Sequence, residues 1–156
     1  MRYLLLIPIC IALFLTPRHK TTYVSNKVYV DRVVPDQEFS KANLIAMLKD
    51  MNVKHYRVAY AQAVVETGNF TSKMFRLNNN LFGMKVSCQR ANTCSGSRHG
   101  HAYYSTWERS VVDYALYYNK YLSRLSECEL YRYLGSHYAS DKNYVTKLKQ
   151  IVCEVK

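Results

Sequence analysis

One stretch carries residue types at a spacing suited to acid–base chemistry: Ala61-Gln62-Ala63-Val64-Val65-Glu66-Thr67-Gly68. Small and β-branched residues mark a buried helix, and Gln62 and Glu66, four apart, share one of its faces. Gly68 ends it. A carboxyl group in the last turn lies at the negative end of the helix dipole, among apolar walls, and both effects oppose ionisation. A carboxylic acid that keeps its proton near neutral pH is what a general acid requires. The alternative is a glutamate solvated at a helix end.

The elements that must hold this acid are mostly helical. Leu44, Ile45, Leu48 and Met51 recur at helical spacing after Ser40, with Asn52 as the stop. A second helix runs from about Lys54 to Glu66. Asn78-Asn79-Asn80-Leu81-Phe82-Gly83 predicts a tight turn that buries an aromatic ring close to the backbone. Residues 86–104 are rich in Ser, Gly, Arg, His and Cys and read as a loop-rich or hairpin insertion. Ser105-Thr106-Trp107-Glu108 fits a capping box, which explains Glu108 by capping and Asp113 by solvent. Val111, Val112, Ala115, Leu116, Tyr118 and Leu122 then extend a helix. Further helices are expected at Cys128–Leu134 and after Ser140, the expected N-cap of the last one.

At 156 residues the chain is sized for one domain. Tyr3 to Leu15 is an apolar run behind Met1-Arg2, so residues 1–20 read as a secretory signal or a membrane anchor, with residues 3–17 as the anchoring segment. Residues 21–37 read as an extended spacer and 38–156 as the domain. The protein is therefore expected outside the cytoplasm, in the periplasm or cell envelope. The net charge is +11, and removing the first twenty residues leaves +8, which points to an anionic partner such as a wall polymer or a membrane. No nucleic-acid motif accompanies the charge, so nucleic acid is not expected. Cys88, Cys94, Cys128 and Cys153 form an even set suited to two disulfides, with Cys88–Cys94 and Cys128–Cys153 the preferred pairing among three. Zinc, with His99 and His101 nearby, is the alternative, but no CxxC pair supports it. Neither a metal nor another cofactor is expected. Tyrosine is abundant, at 15 residues, and suits both stacking on sugar rings and the rim of a helical core.

Four segments in order, AQAVVETG (61–68), NNLFGMK (79–85), YYSTWERSVVDYA (103–115) and HYASDKNYVTKL (137–148), resemble the bacterial glucosaminidase domain of cell-wall hydrolases, glycoside hydrolase family 73. The resemblance covers roughly residues 38–153. It implies a mainly α (α+β), lysozyme-like domain with a small β-hairpin lobe beside a cleft, acting as a monomer on peptidoglycan glycan strands. The implied reaction is hydrolysis of the β-1,4 bond after N-acetylglucosamine. By that resemblance Glu66 is the catalytic acid and Tyr138 lines the catalytic centre. Gln62, Asn80, Phe82, Tyr104 and Trp107 are the implied substrate-binding residues. Several family members carry a second glutamate in the β-lobe, whereas residues 67–107 here contain no Asp or Glu. Glu108 is the nearest candidate. A substrate-assisted reaction, in which the sugar's own 2-acetamido oxygen attacks, is therefore expected. The other readings are a non-catalytic wall-binding module, and a lysozyme or lytic transglycosylase.

Overall fold

The computed structural model describes residues 38–138 and 141–155. The expected leader, the spacer, Cys10 and the Ser140 cap lie outside the described residues. Six helices and one two-stranded sheet follow in order: α1 (Lys41–Asp50), α2 (Tyr56–Glu66), α3 (Lys73–Asn78), β1 (Gly96–Arg98), β2 (His101–Tyr103), α4 (Trp107–Tyr121), α5 (Glu127–His137) and α6 (Tyr144–Glu154). The fold is mainly α and lysozyme-like, with the small β-hairpin that the sequence predicted. No helix among the described residues is long and apolar enough to cross a membrane.

Helix α2 is the axis. Its run Val58–Ala63 is buried without a break, because Ala59, Ala61 and Ala63 are small enough to let neighbouring helices close in on every side. Helices α1 and α6 pack on it, and α4 packs on α1. Ser40 caps α1 by accepting from the Asn43 amide at 3.0 Å, and α1 stops at Asn52, whose φ of 55° is the left-handed conformation expected of a stop. The hairpin is antiparallel, pairing Gly96 with Tyr103 and Arg98 with His101. Its two-residue turn, His99-Gly100, has φ of 54° and 75°, which matches the twist of the flanking strands.

Three sequence expectations change. The Ser105–Glu108 capping box does not form: Thr106 is the N-cap of α4, without a side-chain cap, and Glu108 is turned into the core at 1% exposure. The box forms instead at α5, where Ser126 and Glu129 cap each other reciprocally. Asp113 is not solvated either. It is fully buried, ion-paired with Arg90, and accepts the Tyr104 hydroxyl at 2.5 Å, so it ties α4 to the loop that carries the hairpin. The four cysteines Cys88, Cys94, Cys128 and Cys153 are all free thiols. In the 87–94 loop, hydrogen bonds take the place of the expected Cys88–Cys94 bridge: Asn92 Nδ2 donates to the Ser87 carbonyl at 2.9 Å, and the Cys94 thiol turns to Asn92 Oδ1 at 2.9 Å. Cys128 and Cys153 are exposed on α5 and α6.

Candidate active site

Helix α2 delivers Glu66 as its last residue, half-buried. Burial raises the carboxyl's pKa, while a hydrogen bond from Tyr144 and the nearness of His101 oppose the rise; burial wins. The Tyr144 hydroxyl donates to Oε1 at 2.9 Å. The other oxygen, Oε2, lies under Gly83, where an added Cβ would stand 3.0 Å away, and Gly83 has a φ of 63°. Both the left-handed backbone and the close approach demand glycine here.

Behind the acid runs a directed hydrogen-bond chain. The Tyr114 hydroxyl donates to Gln62 Oε1 at 2.7 Å, Gln62 Nε2 donates to the Tyr144 oxygen at 3.3 Å, and Tyr144 donates to Glu66. Tyr114 makes the direction definite. Its ring is buried and stacks on Phe82 at 4.1 Å, and Gln62 is the acceptor that satisfies its hydroxyl. Burial pushes the Tyr114 and Tyr144 hydroxyls far above their ordinary range, so both stay neutral donors.

The three asparagines act as staples for the cleft floor. Asn78 Nδ2 donates to the Arg98 carbonyl at 2.9 Å, and Asn79, left-handed at φ 50°, donates to the Tyr104 and Ser105 carbonyls, each at 3.1 Å. Asn80 Oδ1 accepts from the Phe82 and Met84 amides, and its Nδ2 donates to the Met84 and Ala102 carbonyls, both at 2.9 Å. The turn over Glu66 and strand β2 are thereby one unit. Tyr138 locks on from the other side, its hydroxyl donating to the Phe82 carbonyl at 2.6 Å and its ring lying on Tyr144 at 6.1 Å. Burial raises the Tyr138 hydroxyl well above its ordinary range.

These parts border a cleft of about 520 Å³, within the range of small-ligand sites. Glu66 is the sole carboxylate among its described lining residues, and Tyr117, Tyr121, Tyr133 and Tyr138 supply aromatic faces. Lys85 and His101 line the β-lobe side. Of the residues expected to meet substrate, Glu66, Tyr138 and Phe82 border the cleft. Gln62 and Asn80 are buried behind it and support it instead. Tyr104 and Trp107 are corrections. Tyr104 is 2% exposed and committed to Asp113; Trp107 is 6% exposed and packs edge-on against Phe39 at 5.5 Å. Glu108 is buried in the core and does not line the cleft. Tyr144, six residues past Tyr138 in the 137–148 segment, has no local sequence signal for its bond to Glu66. His101 reads in the sequence only as an alternative zinc ligand. Among the described residues, no group of three or more His, Cys, Asp or Glu is placed to hold a metal ion.

A mainly helical domain with one half-buried carboxylic acid over a tyrosine-walled cleft defines a lysozyme-like glycoside hydrolase. The chain belongs to the glucosaminidase family: the family model described as mannosyl-glycoprotein endo-beta-N-acetylglucosaminidase matches residues 41–156. The protein is thus a glycoside hydrolase, and its family membership implies a peptidoglycan substrate. Neither a curated protein nor a solved structure matches the chain.

Proposed function

We propose that this protein is an exported endo-β-N-acetylglucosaminidase that cleaves peptidoglycan strands after N-acetylglucosamine, with Glu66 as the general acid. One observation carries the reading: Glu66 is the sole carboxylate among the described lining residues of the cleft, and burial raises its pKa. Glu66 protonates the glycosidic oxygen as the C1–O bond breaks. The 2-acetamido oxygen of the same sugar attacks C1 and forms an oxazolinium ring, which supplies the group that a second carboxylate supplies elsewhere. Water then adds at C1, its proton passing to the Glu66 carboxylate, and the configuration at C1 is retained. Tyr138 has its hydroxyl hydrogen committed to the Phe82 carbonyl. Its oxygen lone pairs are thereby left free to stabilise the developing positive charge. The apolar run at 3–15 and the basic charge support export to an anionic envelope.

The test is digestion of purified peptidoglycan followed by mass determination of the products. New reducing ends of N-acetylglucosamine are expected, and Glu66→Gln lowers turnover by about 10²–10⁴-fold. An anhydro-muramyl product would replace this reading with lytic transglycosylase activity. Full turnover in Glu66→Gln would remove Glu66 from the role.

A further inference from the structure

The segment from Thr67 to Trp107, which builds the β-lobe side of the cleft, contains no carboxylate, yet it presents one side chain with a directed lone pair. Strand β2 alternates: Ala102 points into the core at 0% exposure, so His101 and Tyr103 take the opposite face, and His101 reaches the cleft. Its Nδ1 lies 3.1 Å from the His99 carbonyl oxygen. A carbonyl only accepts, so Nδ1 carries the hydrogen, and in the neutral ring Nε2 keeps its lone pair. The tight His99-Gly100 turn places that carbonyl, and thus fixes the ring. The Ala102 amide donates to the Met84 carbonyl at 2.9 Å, next to Gly83, which covers Glu66 Oε2. His101 and Glu66 thereby line the same cleft. The other cleft imidazole, His137, belongs to the helical wall: it ends α5, lies flat on Tyr133 at 4.6 Å, and has its Nδ1 near both Ser136 Oγ and the Tyr133 carbonyl.

We propose that His101 is the second catalytic residue of this cleft, its Nε2 accepting the N–H of the substrate's 2-acetamido group while the amide oxygen attacks the anomeric carbon. The proposal rests on the substrate-assisted reading. A 2-acetamido group attacks poorly while its nitrogen keeps a full hold on its proton, because the oxazolinium places positive charge on that nitrogen. An acceptor at the N–H stabilises this charge as it develops, when it counts for catalysis. In the first step the amide oxygen bonds to C1, the C1–O bond breaks and the Glu66 proton goes to the leaving oxygen. The N–H proton moves towards Nε2, giving an oxazoline–imidazolium pair. In the second step water adds at C1, its proton goes to the Glu66 carboxylate, the C1–oxygen bond of the ring opens and the imidazolium returns its proton to nitrogen. Protons balance, and no outside reagent is needed.

The experiment uses the full chain with two probes. One is peptidoglycan turnover. The other is a muramyl–glucosamine disaccharide whose reducing sugar is the bicyclic thiazoline, a stable mimic of the oxazoline. His101→Ala is expected to lower kcat about 10²-fold with KM nearly unchanged. Its affinity for the thiazoline falls about tenfold, the loss of one charge-assisted hydrogen bond. His101→Gln, whose amide N–H donates to the thiazoline nitrogen but whose side chain takes no proton, recovers part of the affinity and little of kcat. Because a loss of fold would mimic the first result, melting curves accompany both variants and are expected to match the wild type. Wild-type kcat and thiazoline affinity in His101→Ala would overturn the role of His101 while leaving substrate assistance standing. Failure of the wild-type enzyme to bind the thiazoline, with Glu66→Gln inactive, would overturn substrate assistance itself and this proposal with it.

Discussion

The two walls of the cleft are built on opposite principles. The helical wall is wired: Tyr114, Gln62, Tyr144 and Glu66 form one directed chain, drawn from α4, α2 and α6 and buried except at its tip. The β-lobe wall is stapled: asparagine side chains close backbone turns, and a buried ion pair, Arg90–Asp113, pins the loop to α4. Wiring sets the protonation and aim of one group, whereas stapling sets only where backbone goes. The difference teaches where tolerance lies. Changes on the helical side tune the protonation of Glu66, and changes to the staples on the lobe side displace the wall that carries His101.

The largest effect expected from breaking the lobe is Asp113→Ala. Asp113 is fully buried and the Arg90 side chain is 5% exposed, so removing the carboxylate strands a buried guanidinium and the Tyr104 hydroxyl together. Breaking a buried pair from one side costs about 3–5 kcal/mol. Denaturant unfolding is the measurement. Replacing both partners, Arg90→Met with Asp113→Leu, is expected to recover much of the loss; a double variant as unstable as the single one would show that the pair is not the pin.

Gly83 is where the walls meet, and its substitution sharpens the comparison. In Gly83→Ala the new Cβ stands 3.0 Å from Glu66 Oε2 and the backbone is held at a φ of 63°. The left-handed conformation alone costs about 1–2 kcal/mol for an ordinary residue. The clash also displaces the acid, so turnover falls beyond what the stability loss explains. Repeating the substitution in a Glu66→Ala background separates the two effects, since the backbone cost remains and the clash disappears. Equal destabilisation in both backgrounds would mean that Gly83 is required by its turn alone.

How much of this was legible in the sequence follows the same division. Glu66 at a helix end before Gly68, and the buried Phe82 in its asparagine turn, are local features, and local chemistry wrote them. Ser105–Glu108 and Ser126–Glu129 spell the same capping pattern, yet only the second caps, because the face of α4 that carries Glu108 is turned into the core. Asp113 read as solvated because its partner Arg90 is 23 residues away in a loop with no periodicity. Tyr104 and Trp107 read as sugar-stacking aromatics because nothing in an aromatic side chain distinguishes a core ring from an exposed one. Tyr144 was hidden for the same reason, its bond to Glu66 spanning 78 residues. The cysteine count suggested bridges, whereas the four thiols stand free and polar contacts close the 87–94 loop.

The smallest effect is the most diagnostic of the wiring. Tyr144→Phe removes a hydroxyl that donates to Glu66 Oε1 and keeps the ring that lies under Tyr138. That hydrogen bond favours the charged carboxylate, and it partly offsets the burial that raises the pKa. Without it the pKa of Glu66 moves further up. A general acid works while protonated and fails as pH rises through its pKa, so the alkaline limb of the pH–rate profile moves to higher pH in the variant. His101 is unchanged in the variant, so the shift reports Tyr144 alone. Loss of one hydrogen bond, about 1 kcal/mol, limits the fall in kcat at the optimum to about fivefold. A limb that moves to lower pH would mean that Tyr144 holds the neutral acid and that the chain runs in the opposite direction, from Glu66 towards Tyr114.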